Sequence, residues 1–204
     1  TYHMICRHPA NRVEAFYSRR AIKIDKIRND SDSLARFNSN IERIYNELNH
    51  IRPRRQEFIE NFKERTMYTN STKKKKLIRY ILGRVEEFSY PDEFAERPID
   101  NSISIEHILP QSPEQFWGLT EDVVLPYVHS IGNLVLVGIG FNSSARNFEL
   151  ERKIVELRET AIRTTADLLS EIESQDSLLW DREKIETRTT KLAESAYDEL
   201  WSNR

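Results

Sequence analysis

The sequence predicts a mainly α-helical protein with a small ββα unit, two antiparallel strands and one helix, embedded between helical segments. Three observations predict it. Only five glycines interrupt 204 residues rich in helix formers. Apolar residues recur at spacings of three and four along most of the chain. Twice, near Ile103 and near Leu134, that spacing gives way to a short β-type run.

Residues from about Val13 to Ile27, Leu34 to Ile51 and Arg54 to Arg65 read as charged, amphipathic helices separated by Asn, Asp, Ser and Pro. A clearer stripe follows in Leu77, Ile78, Ile81, Leu82, Val85 and Phe88, with Ser71 or Thr72 placed to cap its start. Pro91 and Pro98 bracket a connector. Ile103, Ile105, Ile108 and Leu109 then form a β-type run stopped by Pro110, and Leu134-Val135-Leu136-Val137, after Gly132-Asn133, is the second strand. A long loop carrying Trp117 and Pro126 joins them. Asn142-Ser143-Ser144 suits a helix start, and Leu150, Ile154, Leu157 and Ala161 continue at helical spacing. The last helix, from about Asp181, carries Ile185, Leu192, Ala196 and Leu200, with Trp180 and Trp201 near its ends as core aromatics. Residues 1–70 are expected to be a helical linker or bundle joining a preceding domain. Residues 71–204 are expected to be the strand-bearing domain with flanking helices.

Composition narrows the class. A hydrophobic fraction of 38% and an aromatic fraction of 10% suffice for a real core. The longest apolar run, Leu134 to Ile139 with Gly138 inside it, falls far short of the roughly 20 residues of a membrane-spanning helix. The start, Thr1-Tyr2-His3-Met4, carries neither an initiator Met nor a signal-peptide apolar core and reads as a cut inside a longer protein. One cysteine, Cys6, rules out an internal disulfide framework and the paired Cys-x-x-Cys ligands of a structural zinc site, and a reducing, cytoplasmic setting fits best. The net charge of -2 hides a local asymmetry, because Arg52 to Arg84 holds eleven Lys or Arg against three Glu. That basic half is the candidate phosphate-facing half.

Cleaving a phosphodiester requires a water deprotonated near phosphorus, a cation to neutralise charge growing on the phosphate, and stabilisation of the departing oxygen. In Ile105-Glu106-His107-Ile108-Leu109-Pro110 an acidic residue directly precedes a histidine at the end of a strand. Successive strand side chains point to opposite faces, so both serve one site only where the strand twists or stops. Pro110 supplies the stop. Asn142, nine residues after Asn133 and at a helix start, adds an amide oxygen; a carboxylate and an amide oxygen are hard ligands of the kind Mg²⁺ prefers. Taken singly, each feature has a duller reading: a Glu-His pair marks many strand ends, Gly-Asn a turn, and Asn142 a helix cap. Their order and spacing carry the case. His3, His8 and His50 lie outside every motif.

Glu106-His107-Ile108-Leu109-Pro110-Gln111, then His129-Ser130-Ile131-Gly132-Asn133-Leu134, then Asn142 with Asn147 and Lys153, resemble the HNH (ββα-metal) nuclease domain at the C-terminal end of GmrSD-type restriction and phage-defence proteins. The likeness extends to Tyr80-Ile81-Leu82 and Glu86 upstream and to Trp180, Ile185, Arg188, Leu192 and Trp201 downstream. The resemblance implies that His107 is the general base and that Glu106 and Asn142 hold one Mg²⁺ or Mn²⁺. It implies that Asn133 fixes the loop and orients the histidine. Lys153, Asn147 and Arg146 would face phosphate, and His129 would line the site. Glu106 stands where related enzymes usually carry Asp, and its extra methylene admits ligation through a bridging water. DNA is the implied substrate, nicked to 5′-phosphate and 3′-hydroxyl ends in a bacterial cytoplasm, with recognition and nucleotide hydrolysis in an N-terminal domain. The competing expectations are an inactive DNA-binding or protein-docking module, and an RNase.

Overall fold

The helical stripes fold as their spacing dictates. In the computed structural model, which describes residues 1–27, 33–96, 103–113, 117–138, 148–158, 160–175 and 178–201, a short α1 (Tyr2–Ile5) leads into α2 (Ala10–Ile27) and α3 (Ser33–Ile51), which pack on each other. α4 (Arg55–Arg65) turns Phe58, Ile59 and Phe62 inward, and α5 (Thr72–Ser89) buries Ile78, Ile81 and Leu82, one face at i, i+3, i+4. α6 (Pro91–Glu96) follows directly.

β1 (Ile103–His107) and β2 (Leu134–Gly138) form a two-stranded antiparallel sheet in which Ile105 lies opposite Leu136 and His107 opposite Leu134. Cross-strand partners share a face. Ile103, Ile105 and His107 therefore lie with Leu134 and Leu136, and Ser104 and Glu106 with Val135 and Val137. Each face meets its own core. Leu134 and Leu136 pack with Ile5, Phe58, Phe62, Ile78, Ile81 and Leu192; Val135 and Val137 pack with Ile108, Leu109, Val128, Ile154, Leu157 and Ile185. β2 is apolar on both sides, so burial alone does not choose between it and a one-residue slip. The alternation in β1 and the side-chain bonds of Asn133 choose the register.

Between the strands, the segment expected as a loop contains a helix, α7 (Glu121–Val128), despite Pro126 inside it. Val124, Tyr127 and Val128 occupy one buried face, and that burial outweighs the hydrogen bond proline cannot donate. A 3₁₀ turn, Ile131–Asn133, then delivers the chain into β2. α8 (Leu150–Arg158) is the next described helix after β2. The expected helix start at Asn142 lies outside the described residues.

α9 (Arg163–Glu173) is absent from the sequence-based expectations, although Leu168, Leu169 and Ile172 have helical spacing. Its start carries no local cap. The carboxylate of Glu86, buried on α5, accepts bonds from the Arg163 and Thr164 backbone N–H groups at 2.8 and 2.9 Å. α10 (Arg182–Ser195) starts as expected, with the Asp181 side chain accepting from the Lys184 N–H at 3.1 Å, and runs into a π-helical turn, Ala196–Leu200. Trp180 is 5% exposed in the second core, and Trp201 packs against the first and stacks on Tyr80. Among the described residues, no helix is long and apolar enough to cross a membrane.

Candidate active site

β1 stops at His107, and Ile108 and Leu109 then bury themselves in the second core. Two devices hold that turn. The first is Asn133, which is 0% exposed and bonded through its whole amide. Its Oδ1 accepts from the Leu109 N–H at 2.8 Å and the Trp180 indole N–H at 3.0 Å, and its Nδ2 donates to the Leu109 and Val128 carbonyls, both at 2.8 Å. No polar valence of the side chain is left over for a substrate. Its geometry is that of a loop anchor two residues from His107.

The second device is Lys153. It lies on the apolar face of α8 among Leu150, Ile154 and Leu157 and is 0% exposed. Its ammonium donates to the His107 carbonyl, donates to the Ile108 carbonyl at 3.1 Å, and pairs with Glu106 Oε1 at 3.1 Å. Three N–H groups meet three acceptors. Burial pulls its pKa below the usual lysine range, and the Glu106 carboxylate opposes that shift.

On the other face of β1 the His107 ring is 5% exposed. Its Nε2 lies 3.3 Å from His129 Nδ1, and Gln111 Nε2 lies 3.4 Å from its Nδ1. Burial, reinforced by His129 and by the Lys153 charge, pushes the His107 pKa down to about 3. Burial also lowers that of His129. The ring is thus held as neutral imidazole, able to accept a proton. His129 follows α7, and its carbonyl accepts the Tyr68 backbone N–H at 2.7 Å. Tyr68, in the connector between α4 and α5, meets His107 edge-on at 4.8 Å and stacks on His129 at 6.0 Å between ring centroids. The Lys75 ammonium sits 5.6 Å from the Tyr68 ring centre, which brings the basic start of α5 to the same place.

The structure places these residues around the end of β1 in two groups, His107 with His129 on one face and Glu106 with Lys153 on the other, with Asn133 holding the turn beyond. Asn142, Arg146 and Asn147 lie outside the described residues. Sequence reasoning missed Tyr68 and gave Gln111 no role. No spacing rule connects Tyr68 to the histidines, and its one local signal is an aromatic side chain just ahead of the lysine run.

The donor groups present are divided between the two faces of β1. Glu106 offers a carboxylate, a hard oxygen donor, on one face, where it is paired with the Lys153 ammonium, while the His107 and His129 nitrogens face each other on the other. Among the described residues, no group of three or more His, Cys, Asp and Glu side chains is arranged to hold a metal ion. An α10 clamp backs the site. The half-buried Arg188 guanidinium, its pKa lowered to about 10 by desolvation, donates to the Gly132 and Leu134 carbonyls at 2.7 and 2.8 Å, and the Gly132 N–H donates to Thr189 Oγ1 at 3.1 Å.

The model of one protein family, described as GmrSD restriction endonucleases, C-terminal domain, matches residues 52–195. No curated protein matches the chain, and no solved structure does.

Proposed function

The chain belongs to the family of C-terminal domains of GmrSD restriction endonucleases, and from that premise we propose that it is a metal-dependent HNH endonuclease that nicks DNA. The observation that carries this reading is a buried imidazole at the end of β1, set between His129 and Tyr68, one residue from a carboxylate that Lys153 holds on the other face of the strand.

His107 is the general base. A water aligned opposite the leaving oxygen loses its proton to the imidazole as its oxygen attacks phosphorus, and the P–O bond to the 3′ oxygen breaks. The ring's low pKa keeps it unprotonated before substrate arrives. The charge of the bound phosphate then favours the imidazolium that forms. Glu106 and Asn142 would hold Mg²⁺ or Mn²⁺, which when bound supplies charge neutralisation at the scissile phosphate. Asn133 keeps the turn after His107 in place. His129, Arg146 and Asn147 complete the proposed phosphate-facing set, with the basic segment from Arg52 to Arg84 supplying backbone contacts. One such site cuts one strand, so the product is a nick. In the intact protein, an N-terminal domain would recognise the target and hydrolyse nucleotide, as part of anti-phage defence in a bacterial cytoplasm.

The test is conversion of supercoiled plasmid to open circle with Mg²⁺ or Mn²⁺, comparing the wild type with His107→Ala and running RNA in parallel. Nicking by the wild type and a loss of about 100-fold or more in the variant are expected. Undiminished cutting by the variant refutes the base assignment, RNA cleavage alone makes the protein an RNase, and binding without cleavage makes it a docking module.

A further inference from the structure

Lys153 is the feature the proposed chemistry leaves unexplained. A lysine on a nuclease helix is usually read as a phosphate contact, yet this one is fully buried on the apolar face of α8 and all three of its N–H groups are engaged. Burying an ammonium is costly unless its partners compensate, and the partners here are the carbonyls of His107, which ends β1, and of Ile108, together with the carboxylate of Glu106. These acceptors lie on three consecutive residues. Glu106 projects toward α8 and His107 toward the opposite face of the sheet, so strand geometry alone separates base and carboxylate. The Lys153 ammonium ties the Glu106 carboxylate to the backbone that carries the His107 ring.

We propose that Lys153 is a positioning residue: from behind the strand end it fixes His107 and Glu106 relative to each other, and it does not touch the DNA. This deepens, and rests on, the assignment of His107 and Glu106 to a nuclease site. Positioning through backbone carbonyls requires a compact, three-donor head. The guanidinium of arginine is larger and planar, and it does not fit a closed site shaped for an ammonium.

The experiment compares the wild-type chain with Lys153→Met, Lys153→Arg and Lys153→Met/Glu106→Gln in three readouts: plasmid nicking with Mn²⁺ resolved into kcat and KM, salt dependence of DNA binding, and thermal unfolding without metal. Positioning predicts a kcat reduced about 10- to 100-fold in Lys153→Met with KM little changed. It also predicts no rescue by arginine and an unaltered salt slope. In the double variant, unfolding temperature should recover relative to Lys153→Met, because the unpaired, partly buried carboxylate is gone, while activity stays low. A phosphate contact would behave oppositely: arginine would rescue, KM would rise, and the slope of log affinity against log salt would fall by about 0.9. Any of those three results overturns the proposal, as does wild-type kcat in Lys153→Met. If Lys153→Met does not fold, the double variant decides: failure to recover stability overturns the pairing on which the proposal stands. A wild-type chain that cuts no DNA at all overturns the nuclease reading instead, while the salt slope and the stability cycle still report on Lys153.

Discussion

Replacing Asn133 with alanine removes four buried hydrogen bonds at a stroke and leaves the backbone otherwise untouched. Two donors lose their acceptor, the Leu109 N–H at 2.8 Å and the Trp180 indole N–H at 3.0 Å. Two carbonyls, Leu109 and Val128, lose a donor at 2.8 Å each. A buried donor left unmade costs about 1–3 kcal/mol, and the carbonyls, with two lone pairs each, add less. The two donors together give about 2–6 kcal/mol, a large share of the roughly 5–15 kcal/mol that holds an ordinary domain together. The assay is urea unfolding followed by tryptophan fluorescence, and Trp180, bonded to the deleted side chain, reports on the site itself. Asn133→Asp sharpens the test. It keeps both acceptors but sets a carboxylate oxygen against the Leu109 and Val128 carbonyls, so at pH 7 it should be at least as unstable as the alanine variant. A loss below about 1 kcal/mol in Asn133→Ala, or an aspartate variant as stable as the wild type, would refute the claim that this side chain holds the turn after His107.

Two further perturbations probe the same architecture. In Gly132→Ala the new Cβ would stand 2.1 Å from the Ile185 carbonyl oxygen and 2.8 Å from the Thr189 backbone nitrogen; α10 must move off the 3₁₀ turn, at a cost of about 3 kcal/mol read by thermal unfolding, and a variant as stable as the wild type would contradict that packing. The pH dependence of stability tests the His107 environment, because its folded pKa of about 3 lies below the ordinary 6.5. The unfolded chain takes up a proton below pH 6.5 and the folded chain does not, so this contribution is whole above that pH and is lost as pH falls toward 3. The loss is about 1.4 kcal/mol per pH unit, or about 2 kcal/mol by pH 5. His107→Gln should flatten the fall between pH 7 and pH 5 by that amount, and equal slopes in the two proteins would contradict a buried, neutral ring.

Local periodicity was enough to place both strands and most of the helices, because burial of one face imposes spacings of two or of three and four on nearby residues. The order Glu106-His107, Gly132-Asn133, helix likewise stands in the chain itself. What the periodicity leaves out is which distant groups meet. Lys153 sits within an apolar stripe, at i+3 from Leu150 and i−4 from Leu157, and that misplaced charge was a legible sign of burial; that its acceptors include the carbonyl at the end of β1, 46 residues away, was not. α9 has helical spacing but takes its cap from Glu86, 77 residues upstream of Arg163, and α7 tolerates Pro126 because Val124, Tyr127 and Val128 have a core to enter. Tyr68 reaches the histidines only through the path of the connector between α4 and α5. Spacing is a property of neighbours along the chain, set by backbone geometry. A hydrogen-bond partner or a ring contact is a property of neighbours in space, and only the packing of the two cores on either side of the sheet chose these.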